Sequence, residues 1–263
     1  MAKKHTRRKT KGGLSSAIQE TVAGLERIGL SPRKSEKFGT TSEDKFIDAI
    51  KRIRTESFLK NMDNIRREGQ STFVQPDWIW TALIKSAATL GRVPKMEVLE
   101  SLRHKWSWNS IVDFSDAKLI GAIEDVYEKS GARFASRKAK WSAKNRSFIA
   151  RAGGPIEFKK KWLRADRDTA ISMLDEFKGV SKKYARNIGM DVGDSRFENC
   201  VALDVRLLTI LRSINPKLRD KGRWYEETEE YFRYLATKIG ISPWSLDRTI
   251  FRSYEELKSE LVS

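Results

Sequence analysis

The residues best placed to do chemistry sit in and around one tight turn. Phe177-Lys178-Gly179-Val180-Ser181 lies between two helical patterns, DTAISMLDEF before it and KKYARNIG after it. A helix, a glycine hairpin and a second helix bring the N–H groups around Gly179, Val180 and Ser181 to a helix N-terminus. Fixed partial charge there can hold a phosphate without reading any base. A plain helix–helix turn has the same short string. Lys182 and Lys183 open the helix behind the hairpin, and 21 residues after Lys183 comes Asp204, inside the apolar string VALDVRLLTIL. A carboxylate among Val201, Leu203, Val205, Leu207 and Leu208 caps a helix, pairs with a cation, or acts. Capping a helix over 205–214 is the plainest role, and a cap can also serve chemistry.

A second concentration lies upstream. Residues 131–164 hold eleven Lys and Arg, Arg137 and Lys138 among them, against the single acid Glu157. A solvated helix face normally mixes signs, so a one-signed stretch favours phosphate contact. Trp141 and Trp162 are interleaved with it and read as core anchors ahead of base-stacking platforms. Metal chemistry has little to draw on. There are two histidines, His5 and His104, and one cysteine, Cys200, which excludes a disulfide framework and an all-cysteine metal or iron–sulfur site.

The elements that must position these residues are helices. From Ser42 to Glu68, apolar Phe46, Ile47, Ile50, Ile53, Phe58, Leu59 and Met62 recur at helical spacing. Pro76–Leu90 is the most hydrophobic helical stretch and belongs in a core. Pro94 precedes MEVLESLRHK, and Ser115 opens DAKLIGAIEDVYEKSG with Gly131 as its stop. Further helices are expected over 133–152, 155–163, 166–177, 201–214, 224–239 and 242–261, the last with Ser242 as cap and Pro243 at the first helical position. A short amphipathic helix is expected over 14–30, behind a basic arm at 1–13. No alternating strand longer than four residues is found, so the expected class is all-α.

Composition narrows the partners. The chain has 263 residues, a net charge of +17 and a sequence pI near 9.9. It lacks eighteen consecutive apolar residues, which argues against a membrane span, and the basic N-terminus has no apolar run behind it, which argues against a secretory signal. A polyanion is the expected partner, nucleic acid first.

These motifs resemble those of the helix-hairpin-helix DNA glycosylases, the superfamily of endonuclease III and the 8-oxoguanine glycosylases. FKGVSKKYA is similar to the hairpin and following lysine of that family, placing Lys183 on the nucleophile position and Ala185 on its small residue. ALDVRLL is similar to the helix carrying the essential acid, placing Asp204 there. GARFASRKAKWSAKNRSFIA resembles the Gly-aromatic-x-x-Lys-Ala helix through Phe134, Lys138 and Ala139, and WIWTALIKSAAT the helix opening the central domain. The likeness covers about residues 76–212. Lys178 and Ser181 replace the usual Pro and Gly, the Lys-to-Asp interval is a few residues longer, and the cluster's four cysteines are missing. The resemblance is therefore to cluster-free branches of the 8-oxoguanine type.

The resemblance implies a base-excision enzyme acting on double-stranded DNA with a damaged base. Lys183 would attack the sugar C1′, displace the base and form a Schiff base, and β-elimination would then nick the strand. Asp204 would orient the nucleophile and stabilise positive charge growing on the sugar. The nucleophile needs an unprotonated amine, and the adjacent cations Lys182 and Arg186 would favour one. A one-residue shift would make Lys182 the nucleophile instead. Other readings are a monofunctional glycosylase in which Asp204 activates water, and a helical DNA-binding protein without chemistry. DNA contacts are expected from Gly179, Val180, Ser181, Lys182, Lys138 and Arg137, with no metal, no iron–sulfur cluster and no membrane. The expected layout is an arm and short helix over 1–42, a central helical domain over 73–194, and a second lobe from 43–72 with 195–263, with the cleft between the lobes. The expected state is a monomer, and the expected location is the cytoplasm, at the nucleoid, or the nucleus.

Overall fold

The computed structural model describes residues 42–91, 94–218 and 224–261. The expected basic arm and the helix over 14–30 lie outside them. Among the described residues the chain is all-α: fifteen helices, one turn of 3-10 helix at Ser195–Phe197, and no strand. In chain order the helices are α1 (Ser42–Ile53), α2 (Glu56–Val74), α3 (Trp78–Thr89), α4 (Met96–Ser101), α5 (Arg103–Trp106), α6 (Trp108–Ile111), α7 (Asp116–Lys129) and α8 (Ala135–Arg151). There follow α9 (Pro155–Arg164), α10 (Arg167–Asp175), α11 (Lys182–Asp191), α12 (Val205–Ile214), α13 (Trp224–Ile239), α14 (Pro243–Arg252) and α15 (Tyr254–Leu261).

The local signals hold where one residue decides. Ser115 Oγ accepts from the N–H of Lys118, Ser242 Oγ from that of Ser245, and Asp166 caps α10 through Thr169 N. Continuous apolar periodicity overran the true ends elsewhere. The stretch expected as one helix from Ser42 to Glu68 is α1 and α2, broken at Arg54-Thr55. That expected over 242–261 is α14 and α15, broken at Ser253. The one expected over 201–214 begins only at Val205.

Two compact units emerge. Among the described residues, one takes in those between Leu59 and Ala202, and the other Ser42–Phe58 together with those from Leu203 onward. The expected borders were 72/73 and 194/195.

In the unit Leu59–Ala202 the core is α3, whose Trp78, Ile79, Trp80, Leu83, Ile84, Ala87 and Ala88 are all buried. The indole N–H of Trp80 donates to the carbonyl of Trp106 (2.5 Å), that of Trp106 to Leu99 (2.9 Å), and the Tyr127 hydroxyl to Ile84 (3.2 Å). Buried polar edges are thus matched, as a dry core requires. Trp162 is fully buried and stacks on Phe197, with ring centroids 5.4 Å apart, so it is a core anchor. Gly69 of α2 lies so close to the carbonyl of Asp191 at the end of α11 that a Cβ would overlap it. The absent side chain lets the two backbones meet.

The other unit packs α1 against α12 to α15. Phe46, Ala49 and Ile50 of α1 are wholly buried, as are Ile210 and Leu211 of α12, Phe232 and Leu235 of α13, and Leu246 and Ile250 of α14. Polar ties join the helices at the rim. Glu43 of α1 accepts from Tyr231 Oη (2.8 Å) and pairs with Lys238 Nζ (2.9 Å) of α13, while Arg54 donates to Ser245 and Thr249 of α14.

Candidate active site and nucleic-acid interface

The hairpin is held from behind by α8. Phe177 is buried against Phe148 and Phe158, with centroids 5.0 and 5.3 Å away. Asn145, itself buried, grips the next residue twice: the N–H of Lys178 donates to Asn145 Oδ1 (2.8 Å), and Asn145 Nδ2 donates to the carbonyl of Lys178 (3.0 Å). Gly179 then turns with φ +85°, and a Cβ there would stand 2.7 Å from Cε3 of Trp141. Both the left-handed backbone and the tryptophan ring demand glycine. Val180 N–H closes the turn on the carbonyl of Phe177 (3.1 Å), and Ser181 begins α11 with an extended backbone and no side-chain cap.

The positive end of the α11 dipole therefore opens on a hairpin whose shape is fixed by contacts from α8. Lys182 is exposed; Lys183 is half-buried, with its ammonium 4.9 Å from the centroid of the Tyr184 ring. Ala185, two residues on, is fully buried, and a larger side chain there would push α11 off the core. Asn187 Nδ2 donates to Asp191 Oδ2 (3.2 Å), on the helix face that Lys183 starts.

Asp204 occupies the N-cap of α12. Its Oδ1 accepts from the N–H groups of Arg206 and Leu207, both at 2.9 Å, so a carboxylate stands at the positive end of that helix. The preceding Leu203 N–H donates to Tyr225 Oη (3.3 Å), fixing the extended approach. Around this cap Val205 is 77% exposed, and the Arg206 guanidinium lies 4.8 Å from the Phe251 ring and 5.6 Å from that of Tyr254. Two aromatic rings thus flank the Arg206 guanidinium. Sequence reasoning missed Arg206, because its aromatic partners lie some 45 residues away.

One expected contact is corrected. Lys138 is 1% exposed and cannot reach a phosphate: its ammonium donates to the carbonyls of Ala88 (3.1 Å) and Leu90 (2.9 Å) at the C-terminal end of α3. It satisfies the helix's orphan acceptors, and burial pushes its pKa down to about 8. Arg137, one residue earlier, is exposed, with its guanidinium 5.4 Å from the ring of Phe134. Phe134 itself is 60% exposed and adopts φ +59°, the one left-handed non-glycine among the described residues. The one-signed stretch is accordingly not one surface. Arg146 donates to the carbonyl of Phe114 and pairs with Asp116, while Lys159 and Lys161 donate to the carbonyls of Phe73 and Ala152. Trp141, half-buried, serves as the wall behind Gly179.

Trp78, Trp80 and Trp244 are buried, so none of them offers an open face to a base. Among the described residues no three His, Cys, Asp or Glu side chains gather in a way that could hold a metal, and no helix is long and apolar enough to cross a membrane.

The fold has parallels among solved structures. The 8-oxoguanine DNA glycosylase of Thermotoga maritima superposes with a TM-score of 0.63 at 16% identity, covering 80% of this chain and 95% of that one. The chain has the fold of the 8-oxoguanine DNA glycosylases. The Methanocaldococcus jannaschii 8-oxoguanine DNA glycosylase matches at 0.61 and 16%, over 78% of this chain and 92% of its own. The glycosylase/lyase of that organism in complex with DNA containing 8-oxoguanine matches at 0.59 and 15%, over 78% and 95%. No protein-family model and no curated protein sequence matches the chain. The glycosylase fold is thus shared across sequences that have kept about one residue in six.

Proposed function

We propose that the protein is a DNA base-excision glycosylase with abasic-site lyase activity. The observation that carries the reading is the hairpin: a glycine turn, clamped by Asn145 and Trp141, that presents a helix N-terminus with Lys183 on its first turn. A phosphate seated there would bring an adjacent sugar within reach of an amine. In this reading Gly179, Val180, Ser181 and Lys182 grip the backbone, joined by Arg137. Lys183 Nζ attacks C1′ of an extruded nucleotide, the C1′–N bond breaks, and the base leaves with the electron pair and takes up a proton. Ring opening gives a Schiff base, and loss of a C2′ proton expels the 3′-phosphate. Asp204 stabilises positive charge on the sugar and helps move the proton.

The reading uses amine and carboxylate chemistry alone and calls for no metal or iron–sulfur cluster. It implies a monomer acting on double-stranded DNA, in the cytoplasm at the nucleoid or in the nucleus. The first substrate to test is 8-oxoguanine, the base named for the structural neighbours.

Borohydride trapping on duplexes holding 8-oxoguanine, thymine glycol or an abasic site tests this directly. A covalent adduct in the wild type, kept by Lys182→Gln and lost in Lys183→Gln, is the expected result. Loss in Lys182→Gln alone would move the nucleophile by one residue. Base release without an adduct or a nick would assign water activation to Asp204, and salt-sensitive binding without product would leave only a DNA-binding protein.

A further inference from the structure

Beside the hairpin lies a half-open cavity of about 560 Å³. That is within the size range of small-ligand sites. It runs between α7, α8 and the end of α10. Its floor is apolar, formed by Ile120, Ala143 and Phe148. The Phe148 ring is fixed by edge contact with Phe177, and the Arg151 guanidinium lies 5.9 Å from its centroid.

The rim is cationic. Lys140, Lys144 and Lys178 are exposed around it, with Arg151 at the far end. Of the two acids on the rim, Asp116 is taken up by Arg146 at 2.6 Å, which leaves Glu176 facing four cations. A flat apolar floor under a positive rim suits a ligand with a planar ring and a phosphate.

The cavity is also continuous with the hairpin. Lys178 and Asn145, whose reciprocal bonds set the turn, both line it. A strand whose phosphate rests on the N-terminus of α11 therefore has its neighbouring nucleotide next to this cavity. That continuity favours nucleic acid over an acidic protein segment.

We propose that the cavity binds one unpaired nucleotide of the DNA strand, its base on Phe148 and Ile120 and its phosphate on Lys144 and Arg151. This rests on the hairpin's being a DNA grip. The consequence is a preference for damage next to a single-stranded stretch, such as a gap, a frayed end or an overhang, because only an unpaired base can enter.

The test uses the full-length protein and fluorescence anisotropy at one fixed ionic strength. It compares a blunt duplex, the same duplex with a three-nucleotide single-stranded tail at either end, and a tailed duplex whose tail sugars lack bases. The wild type is expected to bind one of the two tailed duplexes about tenfold more tightly than the blunt one, as stacking of a base on an aromatic floor implies. The baseless tail is expected to give little of that gain. Lys144→Glu with Arg151→Glu, both exposed substitutions, should bring the tailed-to-blunt ratio near one, whereas Lys183→Gln should keep it. Equal binding of tailed and blunt duplexes by the wild type overturns the proposal. So does an equal gain from the baseless tail, or a ratio that survives the double substitution. A poly-glutamate peptide that binds the wild type, not the double variant, and leaves the ratio unmoved would give the cavity to an acidic protein segment instead. Failure to bind any duplex removes the DNA-grip reading and this one with it; a ratio of one with intact binding removes this one alone.

Discussion

Two helix N-termini carry the candidate catalytic residues, and they are built in opposite ways. At α12 the cap is Asp204, a carboxylate bonded to two N–H groups of the helix it starts. Charge and dipole agree there, and the end is stable in its own right. At α11 the cap is Ser181 without a side-chain bond, and the first two helical residues are lysines, whose charge opposes the dipole. That end is held from outside its own sequence, by Asn145 on the Lys178 backbone and Trp141 behind Gly179. A terminus that stabilises itself can position a carboxylate. One whose cap side chain makes no bond to the helix, and which is supported from behind, has the form an anion site would need.

The contrast can be broken most severely at the two charged groups. Lys183→Gln is expected to lower base release on a lesion duplex by about 10³-fold or more, and Asp204→Asn by about 10²-fold. Asparagine still caps, so Asp204→Asn should leave the melting temperature close to that of the wild type, while Asp204→Ala should also cost about 1 kcal/mol of stability in denaturant titration. An Asp204→Asn protein that loses stability and keeps its rate would reduce the residue to a cap.

Next comes the support of α11. Gly179→Ala must place a Cβ against Trp141 at φ +85°. It should cost about 2 kcal/mol in chemical unfolding and weaken duplex binding with it. Ser181→Asp would give α11 the kind of cap that α12 has. The expected outcome is opposite in sign for two readouts: a gain of about 0.5–1 kcal/mol in stability and a fall of about tenfold in DNA affinity. A variant that gains both would show that no phosphate rests on this end.

The smallest effect concerns Lys138. Its folded pKa of about 8 lies below 10.5, its ordinary value in an unfolded chain, so between those values the folded state binds fewer protons than the unfolded one. Stability contributed by this group should therefore rise with pH across that window and be flat below it. Lys138→Met should lose that component of the rise, read as melting temperature against pH from 7 to 10. It should also be less stable at every pH, by about 1–3 kcal/mol, because the carbonyls of Ala88 and Leu90 lose their donor.

What could be read in the chain and what could not divides by sequence distance. The caps at Ser115 and Ser242 and the N-cap role of Asp204 each depend on a residue and its neighbours two or three positions on, so the pattern displays them. The breaks at Arg54-Thr55 and Ser253 do not interrupt the apolar periodicity and were invisible to it. Lys138 looks like any cation of a basic stretch; only the packing of α8 on the end of α3, some fifty residues earlier, turns it into a core group. Asn145 and Trp141 carried no signal of their role, because the hairpin they support lies more than thirty residues ahead. Sequence alone determined the all-α class, the positive charge and the glycine hairpin ahead of two lysines, since helical period, net charge and a left-handed turn are local or additive properties. The tertiary structure decided which cations face solvent, what holds the hairpin and where a cavity opens beside it, since burial and reciprocal hydrogen bonds exist only between segments the fold has brought together.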